Sequence, residues 1–130
     1  MKWLPVIARV LMGIVFTGAG IAAFASRFAF PPDLPEPMAT FVKGIAAAIY
    51  FMPLLKTMEV LCGLMLLSGR FVSLALVILS PIIVNIFFTH LFLAPSGLPL
   101  AAVLIGLETY LVFFTAYGQP VRALFKAKTV

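Results

Sequence analysis

The stretch FVSLALVILSPIIVNIFFTHLFLAPSGLPLAAVLIGL, residues 71–107, runs for 37 residues without an Asp, Glu, Lys or Arg. One crossing of a bilayer core takes about 20 apolar residues in a helix, so the stretch is too long for one straight span and suits two. Ala94-Pro95-Ser96-Gly97-Leu98-Pro99 divides it with turn chemistry. The spacing predicts one span over about 71–93, kinked at Pro81, and another over about 99–117, stopped by Gly118-Gln119-Pro120.

Working back from Phe71, Gly69 and Arg70 close a span over about 53–68 that Pro53 opens. Before it, Ser26 to Pro37 holds four prolines with Asp33 and Glu36, a solvent-facing loop. Met38 to Met52, with Lys43 inside it, reads as a short interfacial helix. The first span covers about 4–25. Its Gly13, Thr17 and Gly20 share one face, which lets helix backbones approach closely in lipid. Lys2 followed by an apolar run and Ala23-Phe24-Ala25 imitates a signal peptide, but Arg9 interrupts the run and the run is long enough to span. After Tyr117, Val121, Leu124 and Phe125 oppose Arg122 and Lys126, so residues 118–130 form a basic amphipathic tail.

Composition agrees: 64% of the 130 residues are apolar and 10% charged, against about 25% charged in an ordinary soluble domain. The expected fold is all-α, an integral membrane four-helix bundle in a single domain over residues 1–130, with the short extra helix on the non-cytoplasmic side. The net charge of +5 comes from dispersed basic residues, which excludes the clustered stripe that nucleic acid requires. Lys2, Arg9, Arg70, Arg122, Lys126 and Lys128 fall at one set of helix ends with no acid among them. Arg27, Lys43, Lys56, Asp33 and Glu36 fall at the other. An excess of Lys and Arg marks the cytoplasmic side, which puts both termini inside, in a cytoplasmic membrane. Cys62 is the lone cysteine and reads as a small buried hydrophobe. With His90 the lone histidine, the chain offers no disulfide, no thiolate cluster, no bis-histidine haem and no metal site.

The polar residues inside the spans are the informative ones, since an unpartnered charge at mid-bilayer costs at least ~2.5 kcal/mol. From Pro53, Lys56 lies ~4 to 5 Å and Glu59 ~9 Å deep at the helical rise. Asn85 and His90 lie in the outer half of their own span, so all four converge as candidate ligand-binding residues under the loop and short helix. Bland readings stand beside this one: a Lys56–Glu59 intrahelical salt bridge, Asn85 as interhelical glue, His90 as an interfacial ring with one hydrogen bond. Glu108, near the middle of its span, has Arg9 as its nearest cation. The two are expected to form a structural ion pair across the bundle, the alternatives being a second functional carboxylate and an Arg9 that snorkels to the headgroups. The many Phe residues, Phe87, Phe88 and Phe92 among them, read as fill.

Taken in order, four stretches resemble the DoxX family of small four-span bacterial membrane proteins, in its DoxX-like branch, over about Arg9 to Tyr117. They are Arg9-Val10-Leu11-Met12-Gly13 with Gly18 and Gly20; Tyr50-Phe51-Met52-Pro53-Leu54-Leu55-Lys56 leading to Glu59 and Gly63; Pro81-Ile82-Ile83-Val84-Asn85-Ile86 with His90; and Leu91-Phe92-Leu93-Ala94-Pro95-Ser96-Gly97-Leu98. The chain departs from the pattern where a Lys often follows the glycines, having Ile21-Ala22-Ala23-Phe24 there and Arg27 later. The resemblance implies the bacterial inner membrane and, for some members, a small membrane subunit of a thiosulfate:quinone oxidoreductase. The expected function is therefore a subunit or accessory protein of a redox complex, alone or as a homodimer, that binds a quinone or similar lipophilic molecule in an outward-facing pocket of the bilayer. Asn85 and His90 would bond a quinone carbonyl, and Glu59 with His90 would pass protons. Electrons must come from a redox partner, because the chain carries no metal or flavin motif. The rival readings are a scaffold or lipid-binding protein and, with less room for a pathway, a small oligomeric transporter.

Overall fold

The structure, a computed structural model, describes residues 2–127. Lys128, expected in the basic tail, lies outside the described residues. Four helices are long and apolar enough to cross a membrane. They are α1 (Leu4–Ala25), α3 (Phe51–Ser68), α4 (Val72–Phe92) and α5 (Leu98–Phe114), the last extended at its start by the 3-10 turn Pro95–Gly97. The short helices α2 (Glu36–Ala47) and α6 (Gln119–Ala123) sit at opposite ends of the bundle.

Each long helix buries a narrow stripe and leaves the rest of its apolar surface outside. On α1 the stripe is Ala8, Met12, Phe16 and Gly20, while Ile7, Leu11, Ile14 and Ile21 are exposed. Exposed Leu and Ile in such numbers suit lipid, which is as apolar as they are. The stripes of α3, α4 and α5 close with it around Met12, Phe16, Cys62, Leu66, Leu76, Leu79, Ile83 and Leu111. Two carboxylates occupy positions on these stripes, Glu59 of α3 and Glu108 of α5.

α1 and α3 form the tightest pair, for a reason visible atom by atom. A Cβ at Gly63 would meet Thr17 N at 2.7 Å and Gly13 O at 3.0 Å, and one at Gly20 would collide with Val60. The small-residue face of α1 is thus filled by α3. α1 also contacts α5, and the sequential pairs α3–α4 and α4–α5 complete the ring.

The element bounds differ from the sequence reading where turns compete with helix. α3 starts at Phe51, so Pro53 lies within its first turn, where its missing N–H has no carbonyl to serve. α2 likewise starts early, at Glu36-Pro37, and stops at Ala47, because Ala48 is extended to let the chain turn into α3. α5 stops at Phe114: Thr115 is extended, and the turn Ala116–Gly118 folds back on α5 and α4. α4 continues as helix through Pro81. Gly69 closes α3 in the left-handed region (φ 76°), its N–H bonding Met65 O, and Phe71 takes the same region (φ 57°) before α4.

Two arginines fasten the end of the bundle where α1 starts and α6 lies. Arg9 of α1 donates to Leu66 O and, at 3.3 Å, to Leu67 O, and lies 5.7 Å over the Tyr117 ring. Arg122 of α6 donates to Val112 O and, at 3.1 Å, to Thr115 O. Leu66 O, Leu67 O and Val112 O belong to the last turns of α3 and α5, where the helix dipole has its negative end, and Thr115 O, just past α5, also accepts from Gly118 N–H at 3.3 Å. Ser73 adds a 2.6 Å bond to Tyr117 O.

Candidate functional site

Glu59 lies on the buried face of α3 and is 3% exposed. One turn before it, Lys56 brings its Nζ to 3.1 Å from Oε2 and 3.4 Å from Oε1. This is the one salt bridge among the described residues, and it satisfies a carboxylate that packing has taken out of solvent. Lys56 keeps more exposure than Glu59, so the pair has a wet end and a dry end.

Beside the pair is a cavity of about 310 Å³ between α2, α3 and α4. Ile45 covers it from α2, Phe51 and Leu55 share the α3 wall with Lys56 and Glu59, and Pro81, Ile82, Asn85 and Ile86 form the α4 wall. Asn85 is exposed there, opposite the ion pair. The cavity therefore has mainly apolar walls and two polar groups: a buried ion pair that offers ammonium N–H and carboxylate oxygen, and an amide that offers both donor and acceptor. Its volume is at the lower end of ligand pockets, which run from about 300 to 1,000 Å³.

Three of the four residues expected to converge line this cavity, and His90 does not. Its Nδ1 lies 3.3 Å from Ala94 O, and its ring packs so closely on Gly97 that no Cβ would fit there. His90 braces the turn between α4 and α5. Five residues of α4 separate it from Asn85, which on a helix turns it to another face, and the helical continuation through Pro81 leaves that difference in place.

The expected Arg9–Glu108 ion pair is not formed. Arg9 is held at the end of α3, while Glu108, 7% exposed, accepts a 2.6 Å hydrogen bond from Ser80 of α4 through Oε1. The unpaired carbonyls at the close of α3 compete for the guanidinium and lie nearer the end of α1 where it starts. Sequence reasoning missed Ser80 as the partner of Glu108. No signal along α4 singles Ser80 out, and its one hydroxyl hydrogen is shared between Glu108 Oε1 and its own helix at Leu76 O, 2.7 Å away. Cys62 is buried, in the core and without a partner cysteine. Among the described residues, no group of three His, Cys, Asp or Glu side chains is placed to hold a metal ion.

Comparison with curated proteins and with solved structures gives no match. A family model described as DoxX matches residues 4–92, which is α1 to α4 and therefore every polar residue of the cavity. The match ends before the Pro95–Gly97 turn and α5, short of the Tyr117 limit expected from the sequence, so Glu108 lies outside it. The chain is a multi-pass membrane protein and belongs to the DoxX family.

Proposed function

We propose that this chain is an accessory membrane subunit that binds a lipophilic molecule with a carbonyl head, of the quinone class, in the cavity between α2, α3 and α4. The observation that carries the reading is the pairing of a mainly apolar cavity of about 310 Å³ with three polar side chains, Lys56, Glu59 and Asn85, at its walls. A carbonyl head fits these residues. The Asn85 amide and the Lys56 ammonium donate hydrogen bonds, while Phe51, Pro81 and Ile82 offer flat apolar contact to a ring. Lys56 serves both Glu59 and a carbonyl without leaving its place, because an ammonium has three donors.

A bound quinone would supply two-electron, two-proton redox chemistry at this site. The residues of this chain would hold and orient the head, exclude water with Ile45 and Phe51, and set the Lys56 ammonium as a proton donor and the Glu59 carboxylate as a proton acceptor beside it. His90 has no part in the proton path, being engaged at the α4–α5 turn. Electrons would come from a partner subunit.

Organic extraction and mass spectrometry of the purified full chain test the reading. Wild type should retain a quinone. Asn85→Leu, which keeps size and removes both hydrogen-bonding groups, should reduce retention about tenfold, the worth of one hydrogen bond in an apolar site. Retention of phospholipid alone, or equal quinone retention by Asn85→Leu, overturns it and leaves a lipid-binding scaffold.

A further inference from the structure

Glu108 is the one buried carboxylate for which the fold supplies no cation among the described residues. Oε1 is taken by Ser80, and Oε2 is buried without a hydrogen-bond partner. The charged groups on the elements around it are occupied elsewhere. Arg122 of α6 is spent on Val112 O and Thr115 O, Arg9 of α1 on Leu66 O and Leu67 O, and Lys56 of α3 on Glu59. Glu108 also lines a second cavity, of about 220 Å³, between α4, α5 and α6 and apart from the Lys56–Glu59 cavity. Ser80 and Thr109 add hydroxyl oxygens to its wall, and Val84, Phe113 and Phe125 add apolar surface. The last three are exposed on the flank of the bundle, so the cavity is reached sideways from the apolar phase.

The geometry points to a binding site for a small lipophilic primary amine, its ammonium bonded to Glu108 Oε2 and its apolar body against Phe113 and Phe125. The donor set selects this class. A metal ion would need several oxygen or nitrogen ligands converging on it, and no group of three His, Cys, Asp or Glu side chains is placed to hold one among the described residues, whereas Thr109 Oγ1, which donates to Ile105 O at 2.7 Å, keeps its lone pairs for an N–H group. The Phe113 and Phe125 rings, 6.3 Å apart and tilted by 32°, favour an aromatic body. An ammonium is also the head of an aminophospholipid. Glu108 lies about 9 Å from the end of α5 at the helical rise, below the level of lipid headgroups, which favours the free amine.

Equilibrium dialysis of labelled 2-phenylethylamine against the full chain in phosphatidylcholine nanodiscs tests the site. Wild type should bind saturably, and propylbenzene, of the same shape without charge, should not displace the amine at equal concentration. Glu108→Gln, which keeps a hydrogen-bond acceptor for Ser80, should weaken binding about tenfold or more, the usual cost of a charge-assisted hydrogen bond. Val84→Phe fills the cavity with Glu108 in place and should also lose binding, which keeps the test decisive if the Gln variant misfolds. Absence of saturable binding, displacement by propylbenzene, or retained affinity in Glu108→Gln or Val84→Phe overturns the site. Loss of amine binding when phosphatidylethanolamine is included in the nanodiscs overturns the assignment to a free amine. Neither outcome depends on quinone retention in the other cavity.

Discussion

At the scale of the residue, the polar side chains of this bundle are explained by what each one bonds. Arg9 and Arg122 do the same work at two places, closing the carbonyl ends of α3 and α5 from neighbouring helices. Arg9→Ala should therefore lower unfolding stability in detergent by about 1–3 kcal/mol, the cost of stranding hydrogen-bond groups in a dry place. Glu108→Ala should lower it through a different bond, the one from Ser80. Since Arg9 and Glu108 share no partner, the double variant should lose the sum of the two single losses. A double variant clearly more stable than that sum would show that the two side chains meet.

At the scale of the element, close approach of α1 to α3 decides the sign of a substitution. Gly63→Ala puts a methyl against Thr17 N and Gly13 O, both backbone atoms that yield only if the helices part, and should cost about 1–3 kcal/mol. Gly106→Ala in α5 meets nothing within 4 Å and should stabilise by up to about 1 kcal/mol through helix propensity. Melting temperatures of the two purified variants should thus move in opposite directions, and movement in the same direction would contradict the packing. The small-residue face of α1 was legible in the sequence because it obeys the helical repeat. The end of α5 was not, because nothing in Phe114-Thr115-Ala116-Tyr117 forbids helix. Its stop comes from the tertiary turn, where a Cβ at Gly118 would collide with Val112 O and Ser73 holds Tyr117 O.

At the scale of the whole molecule, the bundle has two chemically different ends. Arg9, Arg70 and Arg122 gather at the end that carries α6, and the loop with Asp33 and Glu36 leads into α2 at the other. The asymmetry of Lys and Arg predicts that a reporter fused after Val130 acts in the cytoplasm and one placed at Ser96 acts outside. Activity of the Val130 fusion outside would invert the molecule and turn the Lys56–Glu59 cavity toward the cytoplasm. Because Arg9 and Arg122 are bonded to helix ends, neutralising Arg70 or Lys126 is the cleaner way to weaken the bias without disturbing the fold.

The sequence by itself determined the four spans, the short helix between the first two, the small-residue face of α1 and the Lys56–Glu59 pair. All of these follow from hydropathy or from spacing along a single helix, which every segment carries within itself. Only the tertiary structure decided which helix each remaining polar side chain would find. Arg9 went to the end of α3 rather than to Glu108, Glu108 to Ser80, and His90 to the α4–α5 turn rather than to the cavity of Glu59 and Asn85. Such pairings depend on the rotation and relative height of neighbouring helices, which interlocking side chains set between segments that are apolar on nearly every face. Where hydropathy is uniform around a helix, as in α4 and α5, its sequence carries little record of which side is turned inward.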